Sequence, residues 1–271
     1  MENPLCSAIR FDGLADGYND NRPTPPAAIV DILCRYAGMV RPKLVADIGC
    51  GTGLSTRIWI GRAEAVCGVE PCDDMRRRAG QATAAIPGGE AVRFVAGTSD
   101  HTGLADACVD IATCSQSLHW MEPAPTLAEV ARILRPGGVF AAIDADMTPS
   151  FGGPAEVAFF ALRRRTKALE DQYRPTPVKR WEKSGHLARM EASGHFAFTR
   201  EVLAHAIEPG NGSRLVGLAL SLGSLAALLA HGLSEDACGL TDLRREAAAL
   251  GDAVIPFHWS YRVRLGVTPA A

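Results

Sequence analysis

Two carboxylates bracket a run of glycines near the start of this chain. In VADIGCGTG, Val45 to Gly53, Asp47 stands two residues before Gly49, and Gly51 and Gly53 follow at every second position. Glu70 ends the next apolar stretch, VCGVE. Glycine reaches backbone angles closed to other residues and lets the main chain come close to a ligand. A carboxylate at the tip of a second parallel strand can bind a ribose diol. Farther on, SQSLHWM (Ser115 to Met121) carries His119, whose ordinary pKa near neutrality suits a general base. A structural His119, bonding a backbone carbonyl beside Trp120, is the alternative. Asp144 and Asp146, closing a later apolar run, are rival bases.

The elements that would position these groups alternate in type. Lys43 to Ile48 reads as a short buried strand, and Leu54 to Ile60 as the helix behind the glycine turn. Further strands are expected at Ala65 to Val69, Ala91 to Val95, Val109 to Cys114 and Val139 to Ile143. Pro123 opens a helix with Leu127, Val130, Ala131 and Leu134 on one face, and Arg-Pro-Gly-Gly (Arg135 to Gly138) closes it. Ligands of open parallel sheets bind beyond the carboxyl ends of the strands, where Asp47, Glu70, His119 and Asp144 all fall. The glycine spacing excludes two phosphate-binding loops. The third glycine of a dinucleotide fingerprint would fall at Leu54, and the lysine of a P-loop is missing.

The pattern D-x-G-x-G-x-G followed by Glu70 resembles motif I of the class I S-adenosylmethionine (SAM) dependent methyltransferases. Q-x-x-H-W (Gln116 to Trp120) with L-R-P-G-G (Leu134 to Gly138) is similar to the small-molecule, trans-aconitate-like or type 11, branch. The resemblance covers residues 12 to 146. It implies an α/β fold with a Rossmann-like seven-stranded, mostly parallel sheet and helices on both faces. It implies SAM as cofactor, S-adenosylhomocysteine as product and no metal. Its cofactor positions map onto Asp47, Gly49, Cys50, Gly51, Gly53, Glu70, Pro71, Met75, Ser99, Asp100, Ser115 and Gln116. Met75 could lie on adenine or in the core, and Asp100 could take the adenine amino group or serve as a loop acid. Tyr18 and Arg22, in Y-x-x-x-R-P before the first helix, resemble a lid over SAM, with the arginine suited to a carboxylate.

After Asp146 the pattern turns helical. Residues 1–148 are read as a SAM-binding core with its lid. Residues 149–271 are read as helical substrate-binding insertions, one after strand 5 and one between strands 6 and 7, plus the last two strands. The final segment, FHWSYRVRL, alternates apolar and polar residues as a strand with one covered face does. Trp120, Phe159, Phe160, Leu222 and Tyr261 are candidate acceptor contacts, pointing to an apolar or aromatic specialised metabolite methylated on an unspecified atom. Arg163, Arg164, Arg165, Lys167, Arg174, Lys179 and Arg180 could serve a carboxylic-acid substrate, but their clustering on one outer face argues against it. A SAM-retaining cyclase or rearrangement enzyme is the competing reading.

Bulk properties narrow the partners. The chain has 271 residues, nearly half of them hydrophobic, and a net charge of −2, which does not suggest a nucleic-acid backbone as partner. The eight cysteines form no C-x-x-C pair or zinc-like cluster, and a reduced cytoplasmic protein fits best. The longest apolar run, Leu215 to Ala230, falls short of a bilayer span and reads as a buried helix. A monomer or homodimer acting on a small molecule, away from membranes, is expected.

Overall fold

The computed structural model describes residues 21–173, 179–251 and 253–271. Tyr18 and Arg174 lie outside the described residues. Strands β1 (Leu44–Ile48), β2 (Ala65–Val69), β3 (Val92–Val95), β4 (Val109–Ser115), β5 (Leu134–Ala145), β6 (Phe198–Gly210) and β7 (Ile255–Val267) form one sheet in the order β3-β2-β1-β4-β5-β7-β6. β1 to β5 run parallel, and β7 joins β5 antiparallel, pairing Ala145 with Tyr261 and Val139 with Val267. The order reverses between β2-β1 and β4-β5. Such a switch point opens a crevice at the carboxyl ends of the strands.

Helix α1 (Ala27–Tyr36) precedes β1, α2 (Asp73–Ala84) connects β2 to β3, and α3 (Pro123–Ile133) connects β4 to β5. One core cluster joins Ala46 and Ile48 of β1, Cys67 and Val69 of β2, Ala112 and Cys114 of β4, and Phe140 and Ala142 of β5. Leu127, Val130 and Ile133 of α3 pack on it, as does Met190 of α5 (His186–Ala192). The alternate residues, Val45, Val66, Ile111 and Val139, are also fully buried. Period-two side chains buried on both sides mean a sheet covered on both faces, which is why these strands are apolar throughout.

The chain divides into two compact units. The sheet-bearing unit comprises residues 24–145, 179–204 and 261–271. The helical unit comprises, among the described residues, 21–23, 146–173, 205–251 and 253–260. It holds α4 (Pro154–Tyr173), α6 (Gly212–Leu220), α7 (Gly223–Ala230), α8 (Glu235–Cys238) and α9 (Leu240–Ala249). Thus α5 belongs with the sheet-bearing unit, whereas the sequence reading placed the helices of residues 149–271 outside the core of residues 1–148. The apolar run read as one helix is broken, with α6 and α7 meeting at 67°. Ser221 Oγ donates back to the Leu218 carbonyl at 2.7 Å, and Arg22 Nη2 donates to the Ser221 carbonyl at 2.6 Å. That carbonyl is thereby drawn out of a helical ladder. No single helix among the described residues is long and apolar enough to cross a membrane.

Candidate active site

β1 ends in the glycine turn because all three glycines hold left-handed angles, φ +68° at Gly49, +55° at Gly51 and +78° at Gly53. The Gly49 amide donates to the Val69 carbonyl at 2.8 Å, tying the turn to the end of β2. A Cβ on Gly49 would stand 2.6 Å from Met121 Cε, and one on Gly53 would stand 3.0 Å from Phe94. A Cβ on Gly51 would meet nothing within 4 Å. The turn is therefore packed on its flanks and open above Gly51.

The two carboxylates of the sequence motif play different parts. Asp47 is fully buried. Its Oδ2 accepts hydrogen bonds from Ser55 Oγ at 2.8 Å and Thr56 Oγ1 at 2.7 Å, and its Oδ1 accepts one from Thr113 Oγ1 at 2.9 Å. Burial raises its pKa, and the three hydroxyls oppose that rise. Asp47 clamps the turn from beneath and presents no surface to a ligand. Glu70 lies beside the open part of the turn. Its Oε2 accepts the Gly51 amide and its Oε1 the Cys72 amide, each at 3.0 Å. Burial raises its pKa, while those two amides and Arg76 oppose the rise. Each oxygen accepts one amide and retains capacity for a further donor.

The expected helix over residues 54–60 is a single 3-10 turn, Thr56–Trp59. Its first hydroxyls are committed to Asp47, and Gly61 turns the chain at φ +73°. Cys50 is buried, and Pro71 and Met75 are half-buried. Ser99 shares a hydrogen bond with Thr126 at 2.9 Å, and Asp100 is exposed on the loop after β3.

Beyond β4, Gln116 takes φ +54°, a left-handed angle unusual for a side-chain-bearing residue. Such strain persists where surrounding bonds fix it. Its backbone amide donates to the Ile143 carbonyl and its Nε2 to the Ala145 carbonyl, both at 2.9 Å, and its Oε1 accepts from Lys183. Ser117 Oγ donates to the Ile48 carbonyl at 2.8 Å, while half-buried Ser115 ends the strand. The His119 and Trp120 rings lie 4.9 Å apart, and the His119 carbonyl accepts the Trp181 amide at 2.8 Å.

Several candidates have other partners than the sequence suggested. Asp144 is not an open base: its Oδ1 pairs with Lys183 at 2.8 Å and its Oδ2 with Arg264 at 2.8 Å. Arg22 donates to Ser221, including its hydroxyl at 3.3 Å, within the helical unit. The Arg180 guanidinium sits 4.4 Å over the Trp120 ring. Tyr261 is buried, its hydroxyl donating to the Thr24 carbonyl at 2.8 Å. Phe159 is sealed in packing and Leu222 nearly so, whereas Phe160 is 47% exposed, so the paired phenylalanines do not share one wall. Lys183 was missed by sequence reading, since nothing in its neighbourhood marks it out.

Comparison with known proteins fits this geometry. Residues 46–142 match the family model Methyltransf_11, the methyltransferase domain. Residues 46–142 are thus similar to a methyltransferase domain. An uncharacterized methyltransferase of Mycobacterium tuberculosis is 34% identical over 131 residues, covering 48% of this chain and 50% of that protein. A malonyl-[acyl-carrier protein] O-methyltransferase of Pectobacterium atrosepticum is 30% identical over 133 residues, covering 49% of each. The chain thus spans about half the length of the curated relatives it matches. A solved structure from Anaeromyxobacter dehalogenans, described as a type II methyltransferase, superposes with a TM-score of 0.67. It is 21% identical and covers 92% of this chain and 99% of its own, a likeness of fold. Among the described residues, no three His, Cys, Asp or Glu side chains could together hold a metal ion.

Proposed function

We propose that this protein transfers the methyl group of SAM to a small-molecule acceptor, releasing S-adenosylhomocysteine. The observation that carries this reading is the open space above Gly51, beside the Glu70 carboxylate at the switch point of the sheet. Any side chain at Gly51 would fill that space. When bound, SAM supplies a methyl group on a positively charged sulfur that leaves as a neutral thioether.

The residues of this chain have the tasks of binding, alignment and proton removal. Glu70 accepts the ribose hydroxyls on the oxygens that already fix Gly51 and Cys72. Pro71, Met75, Ser99 and Asp100 are proposed for the adenine end, and Cys50, Ser115 and Gln116 for the methionine end. The braced loop after β4 holds the acceptor in line, which is the main part of catalysis for a displacement of this kind. His119 takes the proton of an acceptor that carries one. The half-buried Trp120 supports an acceptor with an apolar or aromatic body, as in specialised metabolism, and the setting proposed is the cytoplasm.

Calorimetric titration of ligand-stripped protein with SAM and S-adenosylhomocysteine tests the reading. Micromolar binding of both, lost in Glu70→Ala, is the expected result. Binding unchanged by Glu70→Ala would refute the placement of the ribose.

A further inference from the structure

We propose that Lys183 is a positioning residue: by fixing the orientation of the Gln116 side-chain amide, it sets recognition of the amino-acid end of the cofactor. The proposal rests on the methyltransferase reading and adds a determinant within that same site. Every residue it uses belongs to the sheet-bearing unit.

Gln116 stands where a ligand-facing group is expected. It follows β4 on the loop whose Ser117 and Met121 side chains pack against the glycine turn. A Cβ on Gly49 would lie 2.8 Å from Ser117 Cβ and 2.6 Å from Met121 Cε. The Gln116 backbone holds its left-handed φ of +54°. Such strain clusters at ligand sites and persists where the surroundings over-determine it. A glycine would take that angle without strain, so the position keeps a side chain against a backbone cost.

The amide is oriented by two partners of opposite kind. Its Nε2 donates to the Ala145 carbonyl at 2.9 Å, and its Oε1 accepts from Lys183 Nζ. A carbonyl can only accept and an ammonium can only donate. Together they exclude the flipped amide, in which Oε1 would face the carbonyl and Nε2 the ammonium. An amide has two N–H groups and two lone pairs, so one of each remains beyond these bonds. That pair is complementary to an α-amino acid, whose carboxylate accepts and whose ammonium donates.

Lys183 is itself held in place. Its Nζ pairs with Asp144 Oδ1 at 2.8 Å, and Asp144 Oδ2 pairs with Arg264 at 2.8 Å. Arg264 pairs in turn with Glu201 at 2.9 Å, and Glu201 with Arg262 at 3.0 Å. Charges therefore alternate along a row that runs from exposed Arg262 to Gln116. The middle of the row is buried, with side-chain exposures of 9% at Asp144 and 5% at Arg264, and buried pairs are screened little by salt. The Trp181 amide, donating to the His119 carbonyl at 2.8 Å, ties the lysine's segment to the same loop. Removing the ammonium leaves Asp144 paired with Arg264, so a neutral replacement frees the amide without stranding a buried charge.

Calorimetry on the full chain with S-adenosylhomocysteine and with methylthioadenosine tests the proposal. The second probe keeps the adenosine and the thioether but lacks the amino-acid group. Wild type should bind S-adenosylhomocysteine the more tightly. Lys183→Met should weaken that binding by about tenfold or more, as loss of one hydrogen bond to a charged group implies, and leave methylthioadenosine binding as in wild type. Lys183→Arg, which keeps a cationic donor, should restore part of the loss. Lys183→Gln takes the place of Lys183→Met if that variant does not fold, with the same split expected. Both probes are read on one variant, so a loss of folded protein weakens them alike and does not imitate the split. Unchanged S-adenosylhomocysteine affinity in the neutral variant, equal weakening of both probes, or equal affinity of wild type for the two overturns the inference. Glu70→Ala should weaken both probes. That result alongside an inert Lys183 sinks the inference alone, whereas a wild type that binds neither probe refutes the methyltransferase reading itself.

Discussion

Replacing Gly51 and Gly49 by alanine, one at a time, separates the packing of the glycine turn from its proposed ligand role. Both residues hold left-handed angles, so either alanine incurs the backbone cost of about 1–2 kcal/mol. At Gly51 that is the whole cost, because the new Cβ faces space open to 4 Å. At Gly49 the Cβ overlaps Met121 Cε at 2.6 Å and Ser117 Cβ at 2.8 Å. Moving those groups adds about 1–3 kcal/mol of overpacking, and Ser117 is anchored to the Ile48 carbonyl. Gly49→Ala should therefore lose roughly 2–5 kcal/mol, and Gly51→Ala the smaller share. Urea denaturation of the two variants gives these values. Titration with SAM gives the other half: Gly51→Ala, although folded, should bind at least about tenfold more weakly, a loss of ~1.4 kcal/mol. Wild-type affinity in Gly51→Ala refutes the cofactor placement. Equal destabilisation by the two variants refutes the packing argument.

Thr113→Val removes one of three hydroxyl donors from the buried Asp47 carboxylate and should cost about 1.5–3 kcal/mol in urea denaturation, against a fraction of that for an exposed threonine. Glu129, bound by Arg132 and by the Thr102 amide and hydroxyl, has its pKa lowered from 4.5 to about 2, chiefly by Arg132. Its stabilisation is full above about pH 4.5 and is lost as pH falls toward 2. It amounts to at most about 3 kcal/mol, reduced by the partial exposure of Arg132. The stability gap between wild type and Glu129→Gln should therefore narrow as denaturation is repeated at lower pH, and a constant gap would contradict it. His119→Ala should lower turnover of a protonated acceptor by roughly two to four decades without changing SAM affinity, and a change under about fivefold would make it a bystander.

Much of the sheet could be read directly because its strands are short apolar runs punctuated by glycine and proline. The alternation of Phe257, Trp259, Tyr261, Val263 and Leu265 does correspond to one buried face of β7. Periodicity failed where a local bond overrides it. Leu215 to Ala230 carries an unbroken helical stripe, yet Ser221 and Arg22 divert the backbone there. The 3-10 turn behind the glycines escaped notice for a similar reason, since Ser55 and Thr56 look like ordinary helix-opening residues until both bond Asp47.

The candidate site divides in the same way. Gly49, Gly51, Gly53 and Glu70 are legible because their chemistry depends on backbone angles and on a carboxylate at a strand end, both local properties of the sequence. Asp47 was legible as a conspicuous acid but not as a clamp, because its third donor, Thr113, comes from a strand remote in sequence. Asp144 looked like a base until tertiary structure brought Lys183 and Arg264 to its two oxygens. The sequence by itself determined the order of strands and helices, the glycine turn and the acid beside it, because neighbouring residues and their periodicity specify these. Only the tertiary structure decided which charges meet, since ion pairs and stacked cations join segments that loop closure, not proximity along the chain, brings together.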